Sequence, residues 1–548
     1  MDFGCVVMNF LAIFDQQKSA EYRFLFGMRR SLISRFLRSI QDPERFQRQS
    51  FSRILRTMHA TEFGVHHGID RRTELDAFRE QIPIRSYEQL LPWLAPLVEG
   101  EKNIITRSKI LSFVETSGTT AKPKHIPVTK TWAKTIQDAQ SVWTMSMIHD
   151  HPMVATGKAL TMVSPAVHAY TKAGLAIGSN TGRMYSKQPW WVKQNYPIPE
   201  SVFGIHPSTV KQYVYLRFAL QEHITSWTTA NPSMLLLLCT RLQEWKDFFT
   251  KDLLHGTLRE GPAEMLSDPL RSALEAKLLK MAPPFDWRPA KIWPLAVINC
   301  WKGGPAAFFL SRLRDALGGD IPIREVGITA SEGYFALPLG SDWDGGVLWT
   351  QGHLMEFVDE NNNCFWSWEL EKGKRYRLVI TTETGLVRYD LKDWIEVIGF
   401  CESTAVIRFV GKAGRFLNAV GEKLSEEQLS QAVMQACTKS ATELIGFTAR
   451  TQWGALPAIE FGYEGMMTES FPKALEQALC NINIEYASKR ESGRMSALSL
   501  VPFSTGTYAR FRRDRIKEGA PAGQIKDPIV AISEAEWERV CRASRNRD

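Results

Sequence analysis

The stretch Lys109-Ile110-Leu111-Ser112-Phe113-Val114-Glu115, followed by Thr116-Ser117-Gly118-Thr119-Thr120-Ala121-Lys122-Pro123-Lys124, sets the reading of the chain. The first seven residues predict a buried strand, the next nine a polar loop, and 131–150 a helix. Hydroxyls at 116, 117, 119 and 120, a glycine that lets backbone approach closely, and two lysines suit a polyphosphate. Backbone N–H groups and hydroxyls donate hydrogen bonds there, and lysine supplies point charge. Ordinary loops have the same composition, so the loop taken alone leaves both readings open.

Outward from this unit, apolar and β-branched runs at 158–164, 292–299, 321–326, 376–382, 393–400 and 405–410 alternate with helical segments at 209–223, 232–249, 268–281 and 306–317. Strands alternating with helices predict an α/β body with largely parallel sheets. Upstream, 16–60 is helical in pattern, with Phe24, Leu25, Leu32, Ile33, Phe36, Leu37 and Ile40 on one face and arginines on the other. That basic stripe reads as the solvated face of a packed helix rather than a membrane or RNA binder. The apolar stretch Phe3 to Phe14 follows Asp2, has no basic lead and is too short to span a bilayer, so it reads as an N-terminal helix docked on the body. Near 411 the texture changes to the glycine-punctuated run 411–421, a hairpin or hinge. A helix at 425–437, strands near 442–450 and 456–463, a helix at 471–488, a strand at 497–503 and a helix at 507–518 follow, making a compact α+β lobe. The expected division is a body over 1–410 and a lobe over 411–548.

Composition excludes several classes. A hydrophobic fraction of 44% with 23% charged residues is that of a globular protein, not a disordered or fibrous one. A net charge of +8 over 548 residues is too dilute to argue for nucleic acid or membrane. The eight cysteines contain no C-x-x-C pair, which removes a zinc ribbon and predicts reduced, buried thiols in a cytoplasmic protein. P-loop, G-x-G-x-x-G, G-x-S-x-G and H-E-x-x-H patterns are all absent.

Four further clusters carry possible chemistry. Val326-Gly327-Ile328-Thr329-Ala330-Ser331-Glu332-Gly333-Tyr334 is a strand ending in small residues and one carboxylate: a floor for a planar base and an oxygen ligand for Mg²⁺, or a plain turn. Arg388-Tyr389-Asp390-Leu391-Lys392-Asp393-Trp394 offers an aspartate for ribose hydroxyls, or a surface turn of paired charges. Trp301-Lys302-Gly303-Gly304-Pro305-Ala306 lets backbone approach a ligand, or simply turns the chain. Gly506-Thr507-Tyr508 precedes Gly519-Ala520-Pro521-Ala522-Gly523-Gln524-Ile525-Lys526-Asp527-Pro528, where a loop lysine is ordinarily solvated.

In this order the motifs resemble the adenylate-forming superfamily of acyl-CoA synthetases, luciferases and adenylation domains. More closely, the chain resembles the auxin-responsive Gretchen Hagen family of acyl acid–amido synthetases, in its bacterial-type form. The resemblance runs from Thr61-Glu62-Phe63-Gly64 and Ile82-Pro83-Ile84-Arg85-Ser86-Tyr87-Glu88, through Gly100-Glu101-Lys102-Asn103 and the Ser/Thr-Gly loop, to Ala330-Ser331-Glu332-Gly333. It continues with Thr384-Gly385-Leu386-Val387-Arg388-Tyr389-Asp390, Gly421-Glu422-Lys423-Leu424 and the terminal motif. It implies a large multi-sheet α/β body with a smaller mobile C-terminal lobe. It also implies ATP and Mg²⁺, a carboxylic acid activated as acyl-AMP, and an amine, in particular an amino acid, as acceptor. Ser117, Gly118, Thr119 and Thr120 would hold the phosphates. Thr329, Ala330 and Ser331 would line adenine and α-phosphate, Glu332 would bind Mg²⁺, Asp393 the ribose, and Gly303 and Gly304 would approach the base. Lys526 would be the catalytic lysine, and the hinge would run from Arg415 to Lys423.

Three departures stand out. The phosphate loop lacks a second glycine, Ile529 follows Pro528 where a basic residue is usual, and Gly327-Ile328 replaces an aromatic. The alternative within the superfamily is a thioester-forming enzyme that uses coenzyme A or a carrier protein. Neither nucleic acid nor membrane is expected as a partner. The walls of the acyl pocket are expected in 158–182 and 203–245, and Met162, Tyr170, Tyr213, Leu216 and Met234 there, with Trp190 between the two segments, could receive an aromatic or aliphatic acid, although such stripes are more often core than pocket.

Overall fold

The computed structural model describes residues 20–116, 124–420, 422, 424–453, 456–520 and 525–545. The expected N-terminal helix over Phe3 to Phe14 lies outside the described residues. The chain forms two compact units, one of 1–302, 311–391 and 395–409, the other of 303–310, 392–394 and 410–548.

The first unit opens with helices α1 (Ala20–Gln41) and α2 (Pro43–Met58). They break at Asp42, whose carboxylate accepts the Arg45 N–H at 3.1 Å while Pro43 fills the first helical position. Ile33, Phe36, Leu37 and Ile40 are buried, as the spacing predicts. Gln47 is buried too. Its amide donates to the carbonyls of Thr350 and His353 and accepts from Met355 N–H, which satisfies the polar group inside the core.

Three sheets follow. Strands β1 (Ser112–Thr116), β2 (Lys124–Val128), β4 (Ala169–Tyr170) and β5 (Ala176–Gly178) form a mixed sheet in the order β2-β1-β5-β4. Strands β3 (Lys158–Thr161), β6 (Ile224–Thr228), β7 (Val297–Cys300) and β8 (Ile323–Glu325) form a wholly parallel one. Helices α3 (Lys130–Asp150), α4 (Asn180–Ser186) and α5 (Ser208–Leu220) lie in the connections. Segment 232–249 is two helices divided at Trp245, and the one expected over 268–281 stops at Glu275.

The largest sheet corrects the expectation of mainly parallel pairing. Its eight strands are β9 (Ile328–Ala330), β10 (Gly333–Leu337), β11 (Gly346–Leu348), β12 (Leu354–Val358), β13 (Cys364–Trp366), β14 (Arg375–Thr381), β15 (Tyr389–Cys401) and β16 (Thr404–Lys412). The pairs β9–β10, β10–β11, β11–β16, β12–β13 and β12–β14 are antiparallel. The physical reason is connection length: no helix separates consecutive strands between 328 and 412, and a parallel neighbour needs a crossover of a dozen or more residues.

The second unit pairs β17 (Phe416–Leu417) with β18 (Leu424–Ser425), and orders β19 (Glu443–Gln452), β20 (Ala458–Met466) and β21 (Ser499–Pro502) as a three-stranded sheet. Its helices are α6 (Glu426–Ser440), α7 (Phe471–Ile482), α8 (Thr507–Lys517) and α9 (Glu534–Arg545). The helix expected over 471–488 is broken at Asn483, whose side chain accepts the Tyr486 N–H and caps a new helix. The segment expected to be helical over 306–317 begins as a 3₁₀ turn over Gly304–Phe309, and that turn packs on α6.

Candidate active site

Thr329, Ala330 and Ser331 form the β9–β10 hairpin, half exposed, with Glu332 buried beside them. The turn is built on special backbone. Gly327 has φ +94°, and a Cβ on Gly333 would lie 2.6 Å from the buried His353 ring nitrogen Nε2. Small residues at this hairpin therefore answer first to close packing; the half-exposed backbone they leave is what a planar base could lie on.

Glu332 is tied into the body from both ends. Its carbonyl accepts the Trp132 indole N–H at 2.9 Å, and its Oε1 accepts from the Tyr389 hydroxyl at 3.4 Å. The Lys124 ammonium donates to the same hydroxyl at 3.2 Å and lies 5.3 Å from the Tyr87 ring centre. Burial lifts the Tyr87 phenol pKa, so that group stays neutral. Cation, phenol and carboxylate thus share one surface, which can take a phosphate at one end and a divalent cation at the other. Among the described residues no three acidic, histidine or cysteine side chains cluster as a metal cage. A lone carboxylate fits Mg²⁺ only in the mode where phosphate oxygens complete the shell.

Lys124 stands opposite Thr116 in the β1–β2 pair, so these strands flank residues 117–123 in the sequence. Ser117, Gly118, Thr119 and Thr120 themselves lie outside the described residues, as does Lys423 of the expected hinge.

Gly303, Gly304, Asp393, Arg415 and Lys526 all belong to the second unit. Gly304 has φ +56° at the start of the 3₁₀ turn. Asp393 accepts from Lys412 Nζ at 2.7 Å. Lys526 is exposed as a residue, yet its ammonium is crowded by protein. That desolvation, reinforced by repulsion from Lys412 and Arg415 and opposed by Asp393 and Glu426, holds its pKa below the ordinary lysine value. The chain on its C-terminal side is pinned. Asp527 takes a two-point ion pair from Arg512, Pro528 O accepts from Thr448, and Ile529 O accepts from Ala449 N–H. Ile529 is buried, so the departure from a basic residue there places an apolar side chain in the core. Arg415 is engaged within its own unit by Glu426, Glu536 and the Val530 carbonyl.

Other motif residues are scaffold. Arg388, at φ +43°, pairs with buried Glu356 and donates to the carbonyls of Arg79 and Ile82. Glu422 accepts from Ala419 and Val420 N–H. Tyr213 and Leu216, placed among possible pocket walls, are core, with the Tyr213 hydroxyl bonded to Asp252, whereas Tyr170 and Trp190 are exposed. Tyr389, Trp132 and Tyr87 are what sequence reasoning left out of the site, and it takes Lys124 only as point charge in the loop. Lys124, Tyr87 and Tyr389 stand inside quoted motifs, but only the fold shows which side chains meet.

No helix among the described residues is long and apolar enough to cross a membrane. Among the described residues the seven cysteines form no disulfide, and burial raises the thiol pKa of Cys239 and Cys401 to about 12.

Comparison with known proteins places this geometry. The chain is 23% identical over 545 residues to a jasmonoyl–L-amino acid synthetase, JAR4, of Nicotiana attenuata, covering 89% of this chain and 91% of that one. Its fold matches the acyl acid amido synthetase AtGH3.15 in complex with 2,4-DB at a TM-score of 0.82, with 17% identity and coverage of 94% and 96%. A 2-hydroxyisobutyryl-CoA ligase in the postadenylation state is more distant, at a TM-score of 0.51, 13% identity and coverage of 91% and 90%. The GH3 family N-terminal domain matches residues 32–323, more than half of the chain, the central domain matches 346–412 and the C-terminal domain 427–535. The protein therefore belongs to the GH3 family, the Gretchen Hagen family that its motifs resemble.

Proposed function

We propose that this protein is an ATP-dependent acyl acid–amido synthetase, which converts a small carboxylic acid to its acyl-AMP and passes the acyl group to an amine, an amino acid by preference. The observation that carries the reading is the Lys124–Tyr389–Glu332 chain beside the Thr329–Ser331 hairpin, in a member of the GH3 family. Relatives named jasmonoyl–L-amino acid synthetases support the amine as acceptor.

A carboxylate is a poor electrophile, and linking it to AMP supplies a good leaving group. Negative charge gathers at phosphorus in that step. The groups to offset it are preorganised cations and N–H donors. Lys526 is assigned the charge at the α-phosphate; its lowered pKa reflects the desolvated setting in which a charge acts most strongly. Ser117, Gly118, Thr119 and Thr120 are assigned to the phosphates, Gly303, Gly304, Thr329, Ala330 and Ser331 to adenine and its neighbourhood, and Asp393 to the ribose. Glu332 would hold Mg²⁺, which would supply Lewis-acid stabilisation of phosphate oxygens when bound. The segment from Arg415 to Lys423 is proposed as the hinge of a mobile C-terminal lobe over 411–548, with the ATP- and acid-binding body over 1–410. Described cysteines outside any disulfide support a reducing, cytoplasmic home.

The test is pyrophosphate release from Mg·ATP with aryl, indolyl and fatty acids, with and without amino acids. The expected result is acid-dependent release, a new amide mass only when amino acids are present, and a loss of about 10²–10³ in rate in Lys526→Ala. Product formed only with coenzyme A or a carrier thiol would replace the amine acceptor by the thioester alternative. Absence of ATP binding would overturn the whole reading.

A further inference from the structure

Beside Trp132 stands a cation that has no ion-pair partner among the described residues. The Arg183 guanidinium lies 5.0 Å from the Trp132 ring centre, and that indole N–H holds the Glu332 carbonyl. Among the described residues the Arg183 side chain makes one hydrogen bond, from Nη2 to Asn180 Oδ1 at 2.8 Å, and no ion pair, while its Nε is buried without a partner. Burial alone draws its pKa down to about 10. A desolvated charge without a counter-ion is unfavourable, and proteins pair such groups with a side chain or a ligand.

The local backbone is braced to hold this arginine still. A Cβ on Gly182 would lie 2.3 Å from Ser164 O and 2.4 Å from Ala166 N, so α4 sits backbone-on-backbone against 164–166. Ser179 caps α4 by accepting the Gly182 N–H at 2.9 Å and donates to the Ser164 and Pro165 carbonyls. That is the rigidity expected of a group that reads a ligand.

We propose that Arg183 anchors a second, non-reacting acceptor oxygen on the acid substrate, so that the preferred substrates are dicarboxylic acids or carboxylic acids bearing a hydroxyl, phenolic or keto oxygen. The inference rests on the adenylation reading and names its substrate class. Adenylation decides between the two carboxyl roles. A carboxylate oxygen bonds to the α-phosphorus as the bond to pyrophosphate breaks, and the carboxyl group loses its charge to become a mixed anhydride. An arginine paired with that carboxylate would stabilise the ground state and be stranded after the step. An acceptor elsewhere on the acid keeps it paired through both half-reactions.

The test compares the wild type with Arg183→Gln and Arg183→Lys on matched acids: benzoate against hydroxybenzoates and phthalates, hexanoate against adipate. Acid KM and kcat are read by pyrophosphate release with ATP KM as control, and acid-induced thermal shift is read without ATP. Intrinsic tryptophan fluorescence and the melting curve check folding. The expected result is a preference of roughly 10- to 100-fold in kcat/KM for acceptor-bearing acids, the scale of one hydrogen bond to a charged group. Arg183→Gln should erase it by raising KM for those acids only, and Arg183→Lys should keep part of it. A uniform fall in kcat with the preference unchanged makes Arg183 structural and overturns the proposal. A rise in KM for plain and substituted acids alike assigns it to the reacting carboxylate and overturns it too. If no acid releases pyrophosphate, the adenylation reading fails, and thermal shift still decides the anchor. Stabilisation of the wild type by acceptor-bearing acids, absent in Arg183→Gln, supports it; equal or absent shifts overturn it.

Discussion

Glu325 is a buried carboxyl whose partners are the N–H groups of Lys302 at 2.6 Å and Gly327 at 2.9 Å, joining two motif segments at the strand ends. Burial raises its pKa from 4.5 to about 7, against the pull of those donors. The folded state therefore binds this proton more tightly than the unfolded state. Its contribution to stability is fully present below pH 4.5 and is lost as pH rises through about 7. The ceiling on that loss is about 3 kcal/mol. Urea titrations between pH 5 and 8 should show stability falling with pH in the wild type, and a shallower slope in Glu325→Gln. Equal slopes in the two proteins would show that Glu325 does not titrate there.

At the scale of elements, Gly506-Thr507-Tyr508 shows how a motif can be scaffold. The buried Glu464 carboxylate accepts the N–H groups of Gly506 at 2.6 Å and Tyr508 at 3.0 Å, at the start of α8. A negative charge on free N–H groups at a helix N-terminus is doubly favourable. Glu464→Ala should cost roughly 2–4 kcal/mol, because it removes two charge-assisted bonds and leaves buried donors unpaired. The check is thermal melting with hydrogen exchange: amides of 506–512 should lose protection first, and unchanged protection would refute the capping role. The same logic explains which features were legible. Long helices such as α2 and α3 announce themselves by spacing and caps. The eight-stranded sheet was harder, because strands of three to five residues at β9–β13 carry too little periodicity to show their partners. Motifs far apart in sequence prove to be one network. Arg85 N–H donates to Arg388 O, Arg85 O accepts from Asp390 N–H, and Phe63 N–H reaches Ile104 O. The Lys124–Tyr389–Glu332 chain joins residues up to 265 positions apart, which no local pattern reveals.

At the scale of the whole molecule, the second unit is not one continuous piece of chain. It takes in 303–310 and 392–394 as well as 410–548. The borrowed turn contributes apolar mass: Phe308 is buried and meets Phe447 edge-on at 4.9 Å, and Phe447 stacks on Phe461 at 5.3 Å. Asp393 adds an ion pair to Lys412. A fragment of 411–548 lacks Phe308 and Asp393, and the aromatic face left uncovered at Phe447 both loses burial energy and invites association. The expected outcome is a fragment less stable than the same unit in the intact chain, with lower exchange protection over α6 and β19 and a tendency to self-associate. Phe308→Ala in the full chain separates the packing effect from truncation. A buried phenylalanine cut to alanine costs about 3–5 kcal/mol, and the loss of protection should concentrate on α6 and β19. If fragment and full chain protect those elements equally, the 303–310 turn is a passenger on the unit. If they differ as expected, the C-terminal unit depends for its stability on chain that precedes it by more than a hundred residues, and fragments cut at 411 would misreport both its folding and the setting of Lys526.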